Sequence, residues 1–166
     1  MRMLKLATLL GAAGSALFAR EAAAQPRLGA GLVYGTDIEE VGVQLNGYYG
    51  LDGSLDGLRL GAEFAYYFVD DPASFWTVDL NGQYRFVGPG PFGAYFIAGL
   101  DIARFSIDVD LGPLGDDDVS DTEVGLNLGI GAEYAVSHNV ELFGELKYVI
   151  SDYDQAVFAV GARFLL

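Results

Sequence analysis

The sequence predicts an all-β protein, an eight-stranded antiparallel up-and-down β-barrel that spans a membrane. Three observations support this fold class. Eight segments of about 9 to 12 residues alternate apolar with small or polar residues, which is the period of a β-strand. The chain is rich in glycine and aromatic residues, with 23 Gly, 11 Phe and 10 Tyr. Its acidic residues gather in every second connection between the segments.

The first residues predict a cleaved signal peptide at 1–24, so that the barrel domain is 25–166. A short basic start is followed by an apolar stretch and an A-x-A site formed by Ala22 and Ala24. A membrane anchor is the alternative, but Arg20 ends the apolar stretch well short of the roughly 20 residues that a spanning helix needs.

The composition of the chain limits the classes of molecule that it can bind. The chain has 166 residues, a formal net charge of -14 and 52% hydrophobic residues, so it is a folded chain whose charge is segregated. Losing residues 1–24 removes three basic side chains and one acidic one, which leaves a net charge of -16. We expect no nucleic-acid partner, and cations are the plausible ones. The absence of cysteine excludes disulfides and thiolate sites.

The sequence predicts four strands, joined by turn-rich connections, in the first half of the barrel. Strand 1 alternates Leu and Ala with Gly, strand 2 ends in aromatic residues, and strands 3 and 4 set Leu, Phe, Tyr and Trp against Gly, Gln, Asn and charges. Asp-Asp-Pro and Gly-Pro-Gly-Pro sequences end strands 3 and 4. The four strands are predicted near residues 28–34, 41–49, 58–68 and 76–86.

In strand 5, which starts near Gly93, the apolar phase slips by one residue after Ala103. A slip of one residue predicts a bulge near Ala103 or Arg104, or else the point at which the strand leaves the apolar layer. The longest and most acidic connection follows, at about 108–121. The next two strands are predicted near residues 123–134 and 140–150.

The last strand is predicted at 155–166, where residues of the two faces alternate along its whole length. Without a second neighbouring strand, the backbone N–H and C=O groups along one of its edges would be unpaired. Pairing with strand 1 satisfies that edge and closes the barrel.

A soluble barrel such as a lipocalin would also alternate, so the polar face must decide which face is outside. This face carries mainly Gly, with Asn, Gln, Tyr and few charges, which suits the crowded interior of eight strands rather than a water-exposed surface. Aromatic residues on the apolar face form two girdles, as at membrane interfaces. One girdle would hold Tyr49, Tyr84, Phe86, Phe96, Tyr134 and Phe164, and the other Tyr34, Tyr66, Phe68, Trp76 and Tyr148.

The terminal VGARF and the run YAVSHNVELFGELKY resemble the small eight-stranded bacterial outer-membrane β-barrels, the family that includes OmpA and OmpX. The resemblance implies a monomer in the cell outer membrane, in contact with lipid and lipopolysaccharide and inserted by the barrel machinery through its C-terminal strand. It also implies a structural role in envelope integrity, with no cofactor.

The charged residues of the polar face are expected to point into the lumen. Counting from the turns places Glu141 opposite Arg163 and Glu133 beside Glu141. One interpretation is a plug of ion pairs that fills the lumen; the alternative is a narrow cation-selective or small-solute channel, because acids exceed bases. The predicted lumen network consists of Arg59, Glu63, Asp79, Arg85, Asp101, Glu133, Glu141, Glu145, Lys147 and Arg163.

The acidic connection is a candidate for weak binding of divalent cations, at Asp116, Asp117, Asp118 and Asp121. Its spacing does not match an EF-hand loop, and a solvated acidic loop is the alternative interpretation.

An enzyme is not expected. Lipid A deacylases of this barrel size carry His-x-Ser, but the only histidine, His138, is followed by Asn139 and Val140. A surface adhesion module is a further alternative, although the connections are short.

Overall fold

The computed structural model describes residues 26–51, 56–110, 116–152 and 154–166; within 108–119 it describes the backbone alone. Eight β-strands make up the described structure. Their bounds are β1 Pro26–Gly35, β2 Glu40–Gly50, β3 Leu58–Tyr67, β4 Ala73–Val87, β5 Phe92–Asp110, β6 Asp116–Ala135, β7 Val140–Ile150 and β8 Gln155–Leu165. Among these residues, no helix is long and apolar enough to cross a membrane.

The strands form one closed antiparallel barrel in sequence order. Strand β8 pairs with β1 over nine residue pairs, from Arg27 opposite Leu165 to Gly35 opposite Val157. The predicted closure of the barrel by its first and last strands is therefore confirmed.

The sequence alternation gives this barrel an apolar outside. Leucine, valine and aromatic side chains of every strand face outward and stay exposed, for example Leu32 at 61% and Leu45 at 62%. The next residue along each strand faces inward, because side chains alternate between the two faces. The buried inward positions include many polar residues, among them Gln44, Asn46, Asn81, Gln83 and Asn127.

The two ends of the barrel differ in the connections that they carry. The terminal end is the one at which Pro26 and Leu166 lie, joined by a backbone hydrogen bond of 3.0 Å. The acidic end is the opposite one, where β1 connects to β2, β3 to β4, β5 to β6 and β7 to β8. At the terminal end, Gly57 adopts a φ of 87°, a left-handed conformation that suits glycine in the turn before β3.

The predicted bulge near Ala103 or Arg104 is wrong. Pairing of β5 with β4 and with β6 runs through both residues without a shift, and the one irregularity of β5 pairing lies opposite Arg85 and Val87 of β4. The phase slip instead fits a strand that continues past the apolar layer, where its outward side no longer needs to be apolar.

The predicted long connection at 108–121 is also wrong, as is the upper length of about 12 residues. Strands β5 and β6 have 19 and 20 residues and stay paired as far as Asp110 opposite Asp116. Backbone groups of two neighbouring strands satisfy each other in water as well as in lipid, so the hairpin extends beyond the other strands.

Candidate functional site

The candidate site is the polar interior of the barrel. Of the ten side chains predicted there, the structure buries nine, and the most enclosed is Arg163 at 0% exposure. The tenth, Arg85, is only half-buried at the terminal end, where its Nε donates to the carbonyl of Val87 at 2.9 Å.

A first group of charged side chains, in the middle of the barrel, forms around Lys147. Its ammonium, from β7, crosses the lumen to Glu63 on β3, at 2.5 Å, and also contacts Asp79 on β4. The strand register sets Glu63 opposite Asp79 and Asp79 opposite Asp101, so three carboxylates stand side by side on β3, β4 and β5. The hydroxyl of Tyr48 donates to Glu63 as well. Such a buried ion pair persists because each partner neutralises the other.

A second group in the middle forms around Arg163. The guanidinium of this residue bonds Glu145 at 2.5 Å, the hydroxyl oxygen of Tyr95 at 2.9 Å and the amide oxygen of Asn46 at 3.1 Å. It also lies 4.0 Å from the ring centre of Phe143, within the range of a cation–π contact. One cation on β8 thus contacts groups from three other strands, β2, β5 and β7.

Interior glycines provide the space for these large side chains. A Cβ atom on Gly131 would lie 2.3 Å from the Tyr95 ring, and one on Gly61 would lie 2.4 Å from the Tyr48 ring. Atoms cannot approach so closely, so the alternating glycines of the polar face are what allow tyrosines to fill an eight-stranded lumen.

A third group lies towards the terminal end. The guanidinium of Arg59 forms two hydrogen bonds with Glu133, at 2.7 and 2.8 Å, and Arg27 bonds Glu141 at 3.0 Å. Arg85 approaches Glu133 to 3.5 Å. Next to these groups, Arg27, Arg59 and Arg85 help to line an open cavity of about 650 Å³.

The counting argument placed Glu141 opposite Arg163, and the backbone register does pair them. Their side chains, however, bond elsewhere: Glu141 to Arg27, and Arg163 to Glu145. Long side chains reach across several strands inside a narrow lumen, so neighbours in the register need not be bonded partners. Arg27 also joins Glu133, at 3.6 Å, to Glu141.

Sequence reasoning missed three kinds of interior residue. Arg27 and Tyr95 were not recognised as lumen residues, although both keep the inward phase of their strands. The amide partners of the ion pairs were seen only as polar positions; Gln83, for instance, donates to Glu145 at 3.0 Å. Nor was an apolar cluster in the lumen foreseen, with Val33, Ala65, Tyr67, Phe75, Phe143, Val149, Val157 and Ala159.

The candidate cation site is not assembled by the described residues. The side chains of Asp116, Asp117 and Asp118 lie outside the described part of the structure, and Asp121 is exposed. Within the described part, no three acidic or histidine side chains come close enough to hold a metal ion. His138 is exposed in the turn between β6 and β7.

Comparison with known proteins agrees with this geometry. The family model described as outer membrane protein beta-barrel domain matches residues 6–164. No curated protein gives a significant match.

Solved structures with the same fold include three bacterial barrels. Neisserial surface protein A is 19% identical with a TM-score of 0.66, and the match covers 87% of this chain and 98% of that one. Ail, the attachment invasion locus protein of Yersinia pestis, solved with the heparin analogue sucrose octasulfate, is 13% identical with a TM-score of 0.63, covering 86% and 99%. The outer membrane protein OprG from Pseudomonas aeruginosa is 14% identical with a TM-score of 0.61, covering 87% and 96%.

Proposed function

Since this chain belongs to the outer membrane protein β-barrel domain family and lies in the outer membrane, we propose that it is a structural protein that supports the permeability barrier of the envelope. The observation that carries the proposal is the cross-lumen bonding of Lys147 to Glu63 and Asp79, together with that of Arg163 to Glu145. The cavity lined by Lys147, Glu63 and Asp79 has a volume of about 10 Å³, roughly the space for one water molecule.

We place the acidic end outside the cell and the terminal end in the periplasm. The acidic end would then face lipopolysaccharide phosphates, and divalent cations held loosely by Asp116, Asp117, Asp118 and Asp121 would bridge the two anionic surfaces. The outer face of the barrel contacts lipid as a monomer, and β8 is the strand that the insertion machinery would read.

Removal of the protein from the bacterium tests this role. We expect the deletion strain to become more permeable to detergent and to large hydrophobic antibiotics, and a plasmid copy to restore the barrier. The matched control is a copy with Arg104→Met, which changes an exposed arginine bonded only to Ser120 among the contacts described. Unchanged permeability in the deletion strain would contradict the proposal.

A narrow cation channel is the second candidate function. The excess of acidic over basic side chains in the middle of the lumen favours it. Glu63, Asp79, Asp101 and Glu145 face two basic residues, Lys147 and Arg163, so a path past them would attract cations. Planar-bilayer recordings on the protein purified from outer membranes separate the candidates. We expect no steps above the leak of the empty bilayer, whereas cation-selective steps would favour the channel.

Adhesion through a polyanion is disfavoured by charge. The Ail structure holds a heparin analogue, which is strongly anionic. The described connections at the acidic end of this chain carry Asp37, Glu39, Asp70, Asp71 and Asp152, which would repel such a ligand. Catalysis has no support from His138, which lies at the opposite end of the barrel.

A further inference from the structure

The acidic end of the barrel contains a cavity of about 270 Å³, called here the acidic vestibule. It is bounded by the turn after β1, by inward residues of β4, β5 and β6, and by the last residues of β7 and the first of β8. Pockets for drug-sized molecules usually measure about 300 to 1,000 Å³, so the acidic vestibule suits a smaller molecule.

The described residues that line the acidic vestibule carry a net negative charge, and no basic side chain among them balances it. Four carboxylates line it, and no lysine, arginine or histidine of the described chain does. The nearest lumen cation, Lys147, lines the small cavity beneath and already pairs with Glu63 and Asp79. The four acidic residues are Asp37, Asp101, Asp121 and Glu123.

These carboxylates are spread around the wall rather than gathered at one point. Over the described residues, no three acidic or histidine side chains come within reach of a single metal ion. A bare divalent cation, which needs several oxygen ligands at about 2.3 to 2.6 Å in the case of calcium, therefore has no cage here. A larger cation would contact the wall at more than one place.

Apolar side chains make up much of the same wall. Phe75, which is 8% exposed, packs on Tyr67 at 5.3 Å between ring centres and belongs to the interior apolar cluster. Ile38 packs against that cluster from the turn after β1. Phe105 adds a third apolar surface and is 39% exposed; it faces inward because β5 continues without a bulge, so residues 101, 103 and 105 share one face. An apolar wall open to water favours a ligand with an apolar body.

Gln155 supplies an independent sign of a ligand. This side chain is 7% exposed, lines both the acidic vestibule and the small cavity beneath it, and its Oε1 atom has no hydrogen-bond partner. Buried amide oxygens are normally bonded. Asp101, at 4% exposure, also lines both cavities. Gln155 thus presents an unpartnered oxygen acceptor at the floor, beside the carboxyl group of Asp101, where an ammonium or guanidinium group would donate.

We propose that the acidic vestibule binds a small organic cation in which one ammonium or guanidinium group is joined to an apolar body. The cationic group lies at the floor, near Asp101 and Gln155, and the apolar body lies against Phe75 and Phe105. This binding site is separate from the barrier role proposed above and does not require passage through the barrel.

Calorimetric titration of the full barrel in nanodiscs of zwitterionic phospholipid tests the proposal, with phenethylammonium as the probe. We expect saturable binding of one molecule per barrel. The uncharged analogue 2-phenylethanol should give no saturable heat, and calcium chloride should not displace the probe at matched ionic strength. Saturable binding of the alcohol with equal affinity, or only non-saturable partitioning of the probe, would overturn the proposal.

Two double variants with the same change in charge test whether the probe binds in the acidic vestibule. The double variant Asp121→Asn with Glu123→Gln removes two lining carboxylates, and the affinity for phenethylammonium should fall about tenfold. The control Asp70→Asn with Glu40→Gln removes the same charge from residues that do not line the cavity, and it should change the affinity less than about twofold. Circular dichroism checks that both variants fold. An equal loss of affinity in both variants would assign the binding to general charge attraction and refute the site.

Discussion

At the residue scale, Arg163 shows how one buried cation organises the interior. It is fully enclosed, bonds Glu145, Tyr95 and Asn46, and lies against the Phe143 ring. Burial of a charge costs free energy that its partners must offset, so the loss of one partner leaves the other charge uncompensated. Removing one member of such a pair therefore destabilises the barrel, because the remaining charge stays buried without a partner.

Replacement of this guanidinium tests that dependence. In Arg163→Met the carboxylate of Glu145 loses its cation, and we expect the free energy of unfolding to fall by about 3 to 5 kcal/mol. Urea titration of the protein in lipid vesicles, followed by circular dichroism, measures the change. The control Arg104→Met removes an exposed arginine and should stay within about 0.5 kcal/mol. Equal effects of the two variants would show that burial of Arg163 carries no special cost.

At the element scale, the β5–β6 hairpin extends beyond its neighbours. Strand β4 starts at Ala73, opposite Ile107, so the described residues beyond that point, 108–110 and 116–118, pair only within the hairpin itself. Ile107 and Val119 are direct partners, and a two-residue turn could join them. The extension is thus separable from the barrel.

Replacing residues 108–118 with Asn-Gly tests this separation. Because the described residues of the removed segment, 108–110 and 116–118, make no ladder bonds to strands other than β5 and β6, we expect the free energy of unfolding to change by less than about 1 kcal/mol. The same variant lacks Asp116, Asp117 and Asp118, so uptake of calcium by the vesicle-bound protein should fall if these residues hold it. A barrel that no longer folds would contradict the independence of the extension, and unchanged calcium uptake would argue against the proposed cation site.

At the scale of the whole molecule, the barrel has the opposite polarity to that of a water-soluble protein. Its outer wall is apolar and its interior carries the ion pairs. Such an arrangement is stable only where lipid covers the outer wall, because the exposed apolar area would otherwise aggregate in water. Each outward side chain should therefore lie at a definite depth in the bilayer, which can be measured.

The single tryptophan, Trp76, reports this position by fluorescence quenching with brominated lipids. It faces outward next to Phe64, with ring centres 6.2 Å apart, and we expect the strongest quenching from bromine near the headgroups. In the variant Trp76→Phe with Leu80→Trp, the indole moves four residues along the same face, about 13 Å, towards the bilayer centre. Deep bromines should then quench most. No quenching of either protein would contradict a membrane-spanning barrel.

Much of the fold could be predicted because a strand of period two shows its two faces in the sequence. The alternation of Leu28, Ala30 and Leu32 with glycines, and the pairing of the last strand with the first, follow from that period. The ends of β5 and β6 could not be predicted, since acidic residues such as Asp108 and Asp110 read as loop whether or not the backbone stays paired.

The sequence alone determined which residues face lipid and which face the lumen, because alternation along each strand is a local property. Only the tertiary structure decided which lumen residues meet. Closure of eight strands brings Lys147 of β7 to Glu63 of β3, and Arg27 of β1 to Glu133 of β6, across distances in the chain that no local pattern encodes. It also decided that inward apolar residues and uncompensated carboxylates share one cavity at the acidic end, since that depends on the stagger of all the strands around the barrel.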